Sequence, residues 1–222
     1  MKSYQRLALA GTWALAASLA VTLLPTSALG ASQGFTVTNL VADLPGVAAH
    51  TDTNLVNPWG LAFDNPGNLV VADNGVNLAT FYQRSGNPID LRVNVPGAPT
   101  GLVASHSPSD FVFGDTNTAT APARFLFCTE SGTILAYHPA VNPTNAFVVV
   151  DHSRSNSVYK GLTLATLRGN RQIYAADFHN AKVDVFDTNF RFVGSFTDPG
   201  IPAGFAPFNV RNIGGIIIVT FA

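Results

Sequence analysis

Three acidic residues, Asp73, Glu130 and Asp177, each close a short apolar run and each precede a turn. The runs are Asn68-Leu69-Val70-Val71-Ala72-Asp73, Phe125-Leu126-Phe127-Cys128-Thr129-Glu130 and Gln172-Ile173-Tyr174-Ala175-Ala176-Asp177. Three carboxylates brought together, with the amide oxygens of Asn57 and Asn209 nearby, could hold a hard cation such as Ca²⁺, which takes several oxygen ligands. Lys160 would add a positive charge beside them, and Tyr159 a phenol. The same acids have a plainer reading. Asp favours tight turns, and Asp73-Asn74-Gly75 has the composition of one. Both readings stand at the level of sequence, and no cofactor is identified.

Other chemistries leave weaker traces. His50, His106, His138, His152 and His179 show no paired spacing of the kind metal sites use, which suits surface or loop positions. Convergence from separate parts of the chain stays open. Ser85-Gly86 and Ser131-Gly132 are turn dipeptides, and no Gly-x-Ser-x-Gly surrounds a serine nucleophile. Neither a phosphate-binding glycine loop nor a paired-cysteine metal motif is present. Cys128 is the single cysteine and sits in an alternating apolar run, so it reads as a small buried hydrophobe.

The positioning elements follow from a repeat. Pro58-Trp59-Gly60-Leu61-Ala62-Phe63 recurs as Pro99-Thr100-Gly101-Leu102-Val103-Ala104, as Tyr159-Lys160-Gly161-Leu162-Thr163-Leu164, and more loosely at Pro207-Phe208-Asn209-Val210. Positions 60, 101, 161 and 209 are 41, 60 and 48 residues apart. Each of the first three heads is followed by one of the acid-ending runs and then by an alternating strand such as Thr133-Ile134-Leu135-Ala136-Tyr137. A last strand closes each unit, at Ile89 to Val95, Ala146 to Val150 and Phe190 to Phe196. Four strands per unit of about 40–50 residues is the period of a β-propeller blade. A β-sandwich also uses many short strands, but it does not require repeated Gly-Leu heads. The fold expected is therefore all-β, a propeller with blades starting near 57, 98, 158 and 206. Glycine at each head suits a crowded centre, where a Cβ would obstruct the neighbouring backbone. Ser105 to Ala123, rich in Ser, Thr, Asn and Pro, reads as a surface loop with one extra hairpin strand.

The first 30 residues have a different character. Lys2 and Arg6 precede an apolar run from Leu7 to Leu24, then Pro25-Thr26-Ser27 and the small-residue exit Ala28-Leu29-Gly30. This is the layout of a secretory signal peptide cleaved near Gly30, with a secreted or periplasmic product that keeps no membrane span. Cleavage leaves 222 − 30 = 192 residues. Their charge is 10 − 13 = −3, because all 13 acids lie beyond residue 30 while Lys2 and Arg6 leave. No basic stripe exists, so nucleic acid is not an expected partner. Twelve of the 13 acids are Asp, which suits a turn-rich β protein. Residues 31–56 read as an N-terminal strand, Phe35 to Val41, and a lead-in loop, and 57–222 as about three and a half blades of a ring. On that count the chain looks shortened at its C-terminus, and open blade edges would favour self-association.

The residues Val56-Asn57-Pro58-Trp59-Gly60-Leu61, Thr129-Glu130-Ser131-Gly132-Thr133, Val158-Tyr159-Lys160-Gly161-Leu162, Val183-Asp184-Val185-Phe186-Asp187 and Pro202-Ala203-Gly204-Phe205-Ala206-Pro207-Phe208-Asn209 resemble a family of secreted bacterial propellers related to the NHL-repeat class. The resemblance implies a ring of about six blades and brings no catalytic residues with it. Function is then expected to be non-catalytic binding of protein or glycan. The alternative is a metal-assisted hydrolase or lyase of the gluconolactonase type, working at the channel mouth.

Overall fold

A computed structural model describes residues 35–65, 67–114 and 119–222. The expected signal peptide, 1–30, lies outside the described residues. The unit Thr38–Ala222 opens with two short strands, β1 (Val41–Ala42) and β2 (His50–Thr51). One antiparallel sheet follows, made of β3 (Pro58–Phe63), β4 (Leu69–Asp73), β5 (Leu78–Tyr82) and β6 (Pro88–Asn94) in that order. The second sheet starts with β7 (Pro99–Ala104). A separate hairpin, β8 (Val112–Gly114) and β9 (Thr120–Pro122), interrupts it before β10 (Phe125–Thr129), β11 (Thr133–Tyr137) and β12 (Phe147–Asp151). The third comprises β13 (Tyr159–Leu167), β14 (Asn170–Asp177), β15 (Lys182–Phe186) and β16 (Phe192–Phe196). A fourth sheet contains β17 (Pro207–Ile213) and β18 (Ile216–Phe221). Among the described residues no helix is long and apolar enough to cross a membrane.

The first strands β3, β7, β13 and β17 lie side by side in chain order, and each sheet runs outward from its first strand. This is the blade arrangement of a β-propeller. Blades stack face to face, so the middle strands of the second blade are covered on both sides. Every residue of β10 is buried, although alternate side chains go to different neighbours. Phe125 and Phe127 pack toward the first blade with Val70, Phe81 and Val93, while Leu126 and Cys128 pack toward the third with Leu162 and Ile173. A strand buried on both faces must read as a continuous apolar run. The outer strands β6 and β16 alternate or face water, as their mixed composition requires.

What sets the blade spacing is the glycine at each of the first three heads. A Cβ on Gly60 would lie 2.5 Å from Thr100 O, and one on Gly101 would lie 2.5 Å from Leu162 N. A Cβ on Gly161 would sit 2.7 Å from the Asn209 Cα. Each contact is with the backbone of the next first strand, which cannot rotate away as a side chain can. Polar bonds reinforce the same junctions. Thr100 Oγ1 donates to Tyr159 O at 2.7 Å, and Asn212 Nδ2 donates to Leu164 O at 3.0 Å. Arg124 grips Asp64 with Nε on Oδ1 at 3.0 Å and Nη2 on Oδ2, joining the first two blades.

Two expectations are corrected. The strand anticipated over 35–41 reduces to Val41 within β1, which pairs in parallel with β2. The reason is local: Asn39 O and Leu40 O accept from Ala49 and His50 as the chain returns beside itself. The segment 105–123 is not simply a surface loop. It forms the β8–β9 hairpin, whose Phe111, Phe113, Ala121 and Ala123 are buried between the second and third blades. Phe111 N bonds Thr188 O, and Arg171 both stacks on the Phe111 ring and approaches Asp110 at 3.4 Å. A hairpin with one apolar face had to cover the blade junction it overhangs.

Adding one methyl at a blade head should be costly. Gly101→Ala is expected to lose about 2 kcal/mol or more in urea unfolding, since overpacking against backbone cannot relax. Gly200→Ala, where a Cβ would meet only the Asp198 carboxylate at 3.1 Å, should change stability by no more than about 0.5 kcal/mol. Equal effects at the two positions would refute the spacing argument.

Candidate functional site

The heads of the first strands and the ends of the second strands meet at one mouth of the channel, and their side chains form a string across four blades. Asn57 precedes β3 with φ +50°, a left-handed conformation that asparagine tolerates because its short amide bonds locally. Its Nδ2 donates to Asn74 Oδ1 at 3.0 Å, and Asn74 Nδ2 donates to Glu130 Oε2 at 3.2 Å. Glu130 Oε1 accepts from the Lys160 ammonium. That Nζ lies 4.8 Å from the centroid of the Trp59 ring, within cation–π range. Trp59 then meets Phe208 of the fourth blade at 5.7 Å between centroids. The hydrogen-bonded Lys160 ammonium holds the Glu130 carboxyl below its usual range, with Asn74 assisting against partial burial. Asn209 lies beside this string, where its Oδ1 accepts from the Val210 amide at 2.8 Å.

The other two acids serve elsewhere. Asp73 is fully buried, with Oδ2 accepting from Thr80 Oγ1 at 2.7 Å and no partner for Oδ1 among the described residues. Burial pushes its carboxyl up to about 7, Thr80 opposing and the charge of Asp52 adding to the rise. Asp177 caps its turn: Oδ1 accepts from Val158 N at 3.1 Å, and Oδ2 accepts from Asn180 Nδ2 at 2.8 Å. The three carboxylates therefore occupy three environments, a blade interior, an ion pair and a turn. Among the described residues no three His, Cys, Asp or Glu side chains are gathered where a metal ion could sit.

Below the string lies a cavity of about 510 Å³ between the first strands of all four blades. Trp59, Leu61, Leu102, Leu162 and Phe208 supply its apolar wall. Lys160 and Arg211 supply two positive charges, and no carboxylate lines it. Arg211 is exposed and makes no ion pair among the described residues. This volume is in the range of small-ligand sites.

Sequence reasoning missed a polar cluster in the third blade and misplaced one member of it. Tyr159, expected at the mouth, is fully buried and points its hydroxyl away, donating to Asp184 Oδ2 at 2.9 Å. Burial and the Asp184 carboxylate raise that phenol far above the usual tyrosine range. His152 Nδ1 lies 2.9 Å from the same hydroxyl, and its ring packs on Phe186 and Phe192, so this histidine is structural rather than a plain loop residue. Lys182 Nζ reaches Asp184 Oδ1 at 2.8 Å. The clue was Asp184 itself, a charge at the centre of the apolar strand Lys182-Val183-Asp184-Val185-Phe186, where β11 has Leu135.

No family model matches the chain. In sequence it is similar to two proteins of Acanthamoeba polyphaga mimivirus, the uncharacterized proteins R648 and L690. It is 34% identical to the first over 199 residues, covering 82% of this chain and 48% of that protein. It is 32% identical to the second over 200 residues, covering 84% and 52% respectively. The chain thus spans about half the length of the curated relatives it matches. In structure it resembles a streptogramin B lyase, with a TM-score of 0.54 and 13% identity over 75% of this chain and 49% of that one. It also resembles a catalytically inactive virginiamycin B lyase from Staphylococcus aureus with quinupristin, at a TM-score of 0.50 and 12% identity over 73% of this chain and 54% of that one. At these identities the likeness shows the fold alone, and the fold is a β-propeller.

Asp73 predicts a pH effect on stability. Its folded value near 7 exceeds the unfolded value near 3.8, so its contribution is fully present below pH ~4 and is lost as pH rises toward ~7. Asp73→Asn should gain stability relative to wild type across that window and hold the gain above it. Urea midpoints at pH 4 and pH 8 check this; a difference that does not change with pH would contradict it.

Proposed function

We propose that the chain is a secreted, non-catalytic β-propeller binding module of the NHL-related kind, and that its channel mouth takes a glycan. The observation that carries this reading is the wall formed by Trp59 and Phe208 over the cavity, with Lys160 fixed against the indole. Trp59 keeps 36% of its surface exposed, although burial is the usual state of so large a ring. An exposed indole beside polar groups offers a flat face for the C–H faces of a sugar, and residues of this type dominate binding energy where they occur. The polar residues around it are engaged with one another. Asn57, Asn74, Glu130 and Lys160 form a closed string suited to holding the indole in place.

Export rests on the charged start, apolar run and small-residue exit within residues 1–30. The lyase names of the structural neighbours do not transfer, because a fold hosts many activities and activity resides in the site. A metal-assisted reaction would draw on Asp73, Glu130 and Asp177, which are bonded to Thr80, Lys160 and Asn180.

Two measurements test the proposal. Expressed in a secreting host, the full chain should yield extracellular protein beginning near Ala31 by N-terminal sequencing; recovery of an intact Met1 terminus would contradict export. On a glycan array this product should show saturable binding that Trp59→Ala weakens at least about tenfold. Retention of only protein partners, or calorimetric Ca²⁺ binding that disappears in Glu130→Gln, would overturn the glycan reading.

A further inference from the structure

The cavity beneath the Trp59–Phe208 pair is unbalanced in charge. Lys160 and Arg211 line it, and Asp and Glu do not. This runs against the chain as a whole, whose described acids outnumber its bases and whose formal net charge is −1. Lys160 is partly neutralised by Glu130, which lies outside the lining. Arg211 has no such partner among the described residues and is exposed on β17. Its strand neighbours explain the placement. Val210 is buried against Tyr174 and Val183 of the third blade, so strand alternation turns Asn209 and Arg211 away from that blade, and both reach the cavity lining.

We propose that this cavity selects an acidic saccharide, with Arg211 receiving the oxyanion while Trp59 carries the sugar ring. The inference rests on the glycan reading above and narrows it to one charge class. A guanidinium presents parallel N–H donors that match a carboxylate or sulfate through two bonds, and it stays charged at any physiological pH. Leu61, exposed at the cavity wall, offers apolar surface for the sugar's C–H groups. A volume of about 510 Å³ leaves room for more than a single hexose unit. An uncharged sugar would leave Arg211 without an anionic partner, and a cationic one would meet two like charges.

The test uses an optical probe already in the site. The chain has two tryptophans, Trp13 and Trp59, so Trp13→Phe in the full chain leaves Trp59 as the only indole. Its fluorescence is titrated with glucose, glucuronate and glucose 6-sulfate, and then with short oligoglucuronates. Glucose and glucuronate differ only at C6, which isolates the charge. The expected result is saturable quenching or shift with glucuronate, at least about tenfold tighter than with glucose, as a charge-assisted hydrogen-bonded pair would give. High salt should weaken it, because the site is open to solvent. Arg211→Gln should bring glucuronate down to the level of glucose while leaving the urea midpoint unchanged. The sulfate arm tells whether carboxylate or sulfate is preferred.

Equal affinity for glucose and glucuronate, or unchanged selectivity in Arg211→Gln, overturns the acidic-saccharide inference and leaves the glycan reading standing. No Trp59 response to any sugar, together with a blank glycan array, overturns both.

Discussion

Neighbouring blades approach so closely at their heads that a single methyl group does not fit. Gly60, Gly101 and Gly161 each place their missing Cβ within 2.5 to 2.7 Å of backbone atoms in the next first strand. Backbone cannot swing aside, so this approach sets the spacing of the first strands and, through them, of everything attached. The middle strands of the second blade must then be apolar on both faces, because they are enclosed by the first and third blades. The heads must also converge, which brings Trp59, Lys160 and Phe208 into contact although they come from three different blades.

The same closeness makes polar placement demanding. A buried polar atom without a partner is costly, and so is half of a buried ion pair. Most such groups here are satisfied across the blade junctions or within a blade, as with Thr100 on Tyr159 O and Arg124 on Asp64. Tyr159, Asp184, His152 and Lys182 form one connected group inside the third blade. Because each member depends on the others, the group favours one packing of β13 against β15. Asp73 Oδ1 and Ser105 Oγ depart from this pattern, buried without a hydrogen-bond partner among the described residues, while Asp184 Oδ1 has only its ion pair with Lys182; burial also pushes the Asp73 carboxyl toward neutrality.

Against that rigid frame the mouth divides its charges unevenly. Glu130 is paired with Lys160, and the Lys160 ammonium packs against the Trp59 indole. Arg211 and the exposed ring faces remain available. A propeller scaffold by itself favours no chemistry, so the proposed recognition rests on the side chains that its inner strands present.

Much of the architecture was legible from residue order alone. Strand positions, the four-strand unit and the glycine heads are local or periodic features, because side-chain alternation and turn composition are properties of short segments. Cys128 likewise lies in the core its apolar run implied. Direction was not legible. Asp73 and Asp177 occupy equivalent places, opposite Pro58 and Tyr159, yet one has an oxygen left unpaired and one caps a turn; their equivalent in the second blade is Thr129, opposite Pro99, so Glu130 stands one residue further on, where it pairs with a lysine. For the two aspartates the outcome depends on whether the neighbour offers Thr80 or Asn180, and repeat phase does not encode that. Tyr159 was expected at the mouth and instead turns to Asp184, whose charge within an apolar strand was the only hint. The burial of Phe111 and Phe113, the meeting of Trp59 with Phe208 and the turn of Arg211 into the cavity all depend on the rotation of one blade against the next. That rotation is set by long-range packing at the glycine heads, so it is decided only once the strands have come together.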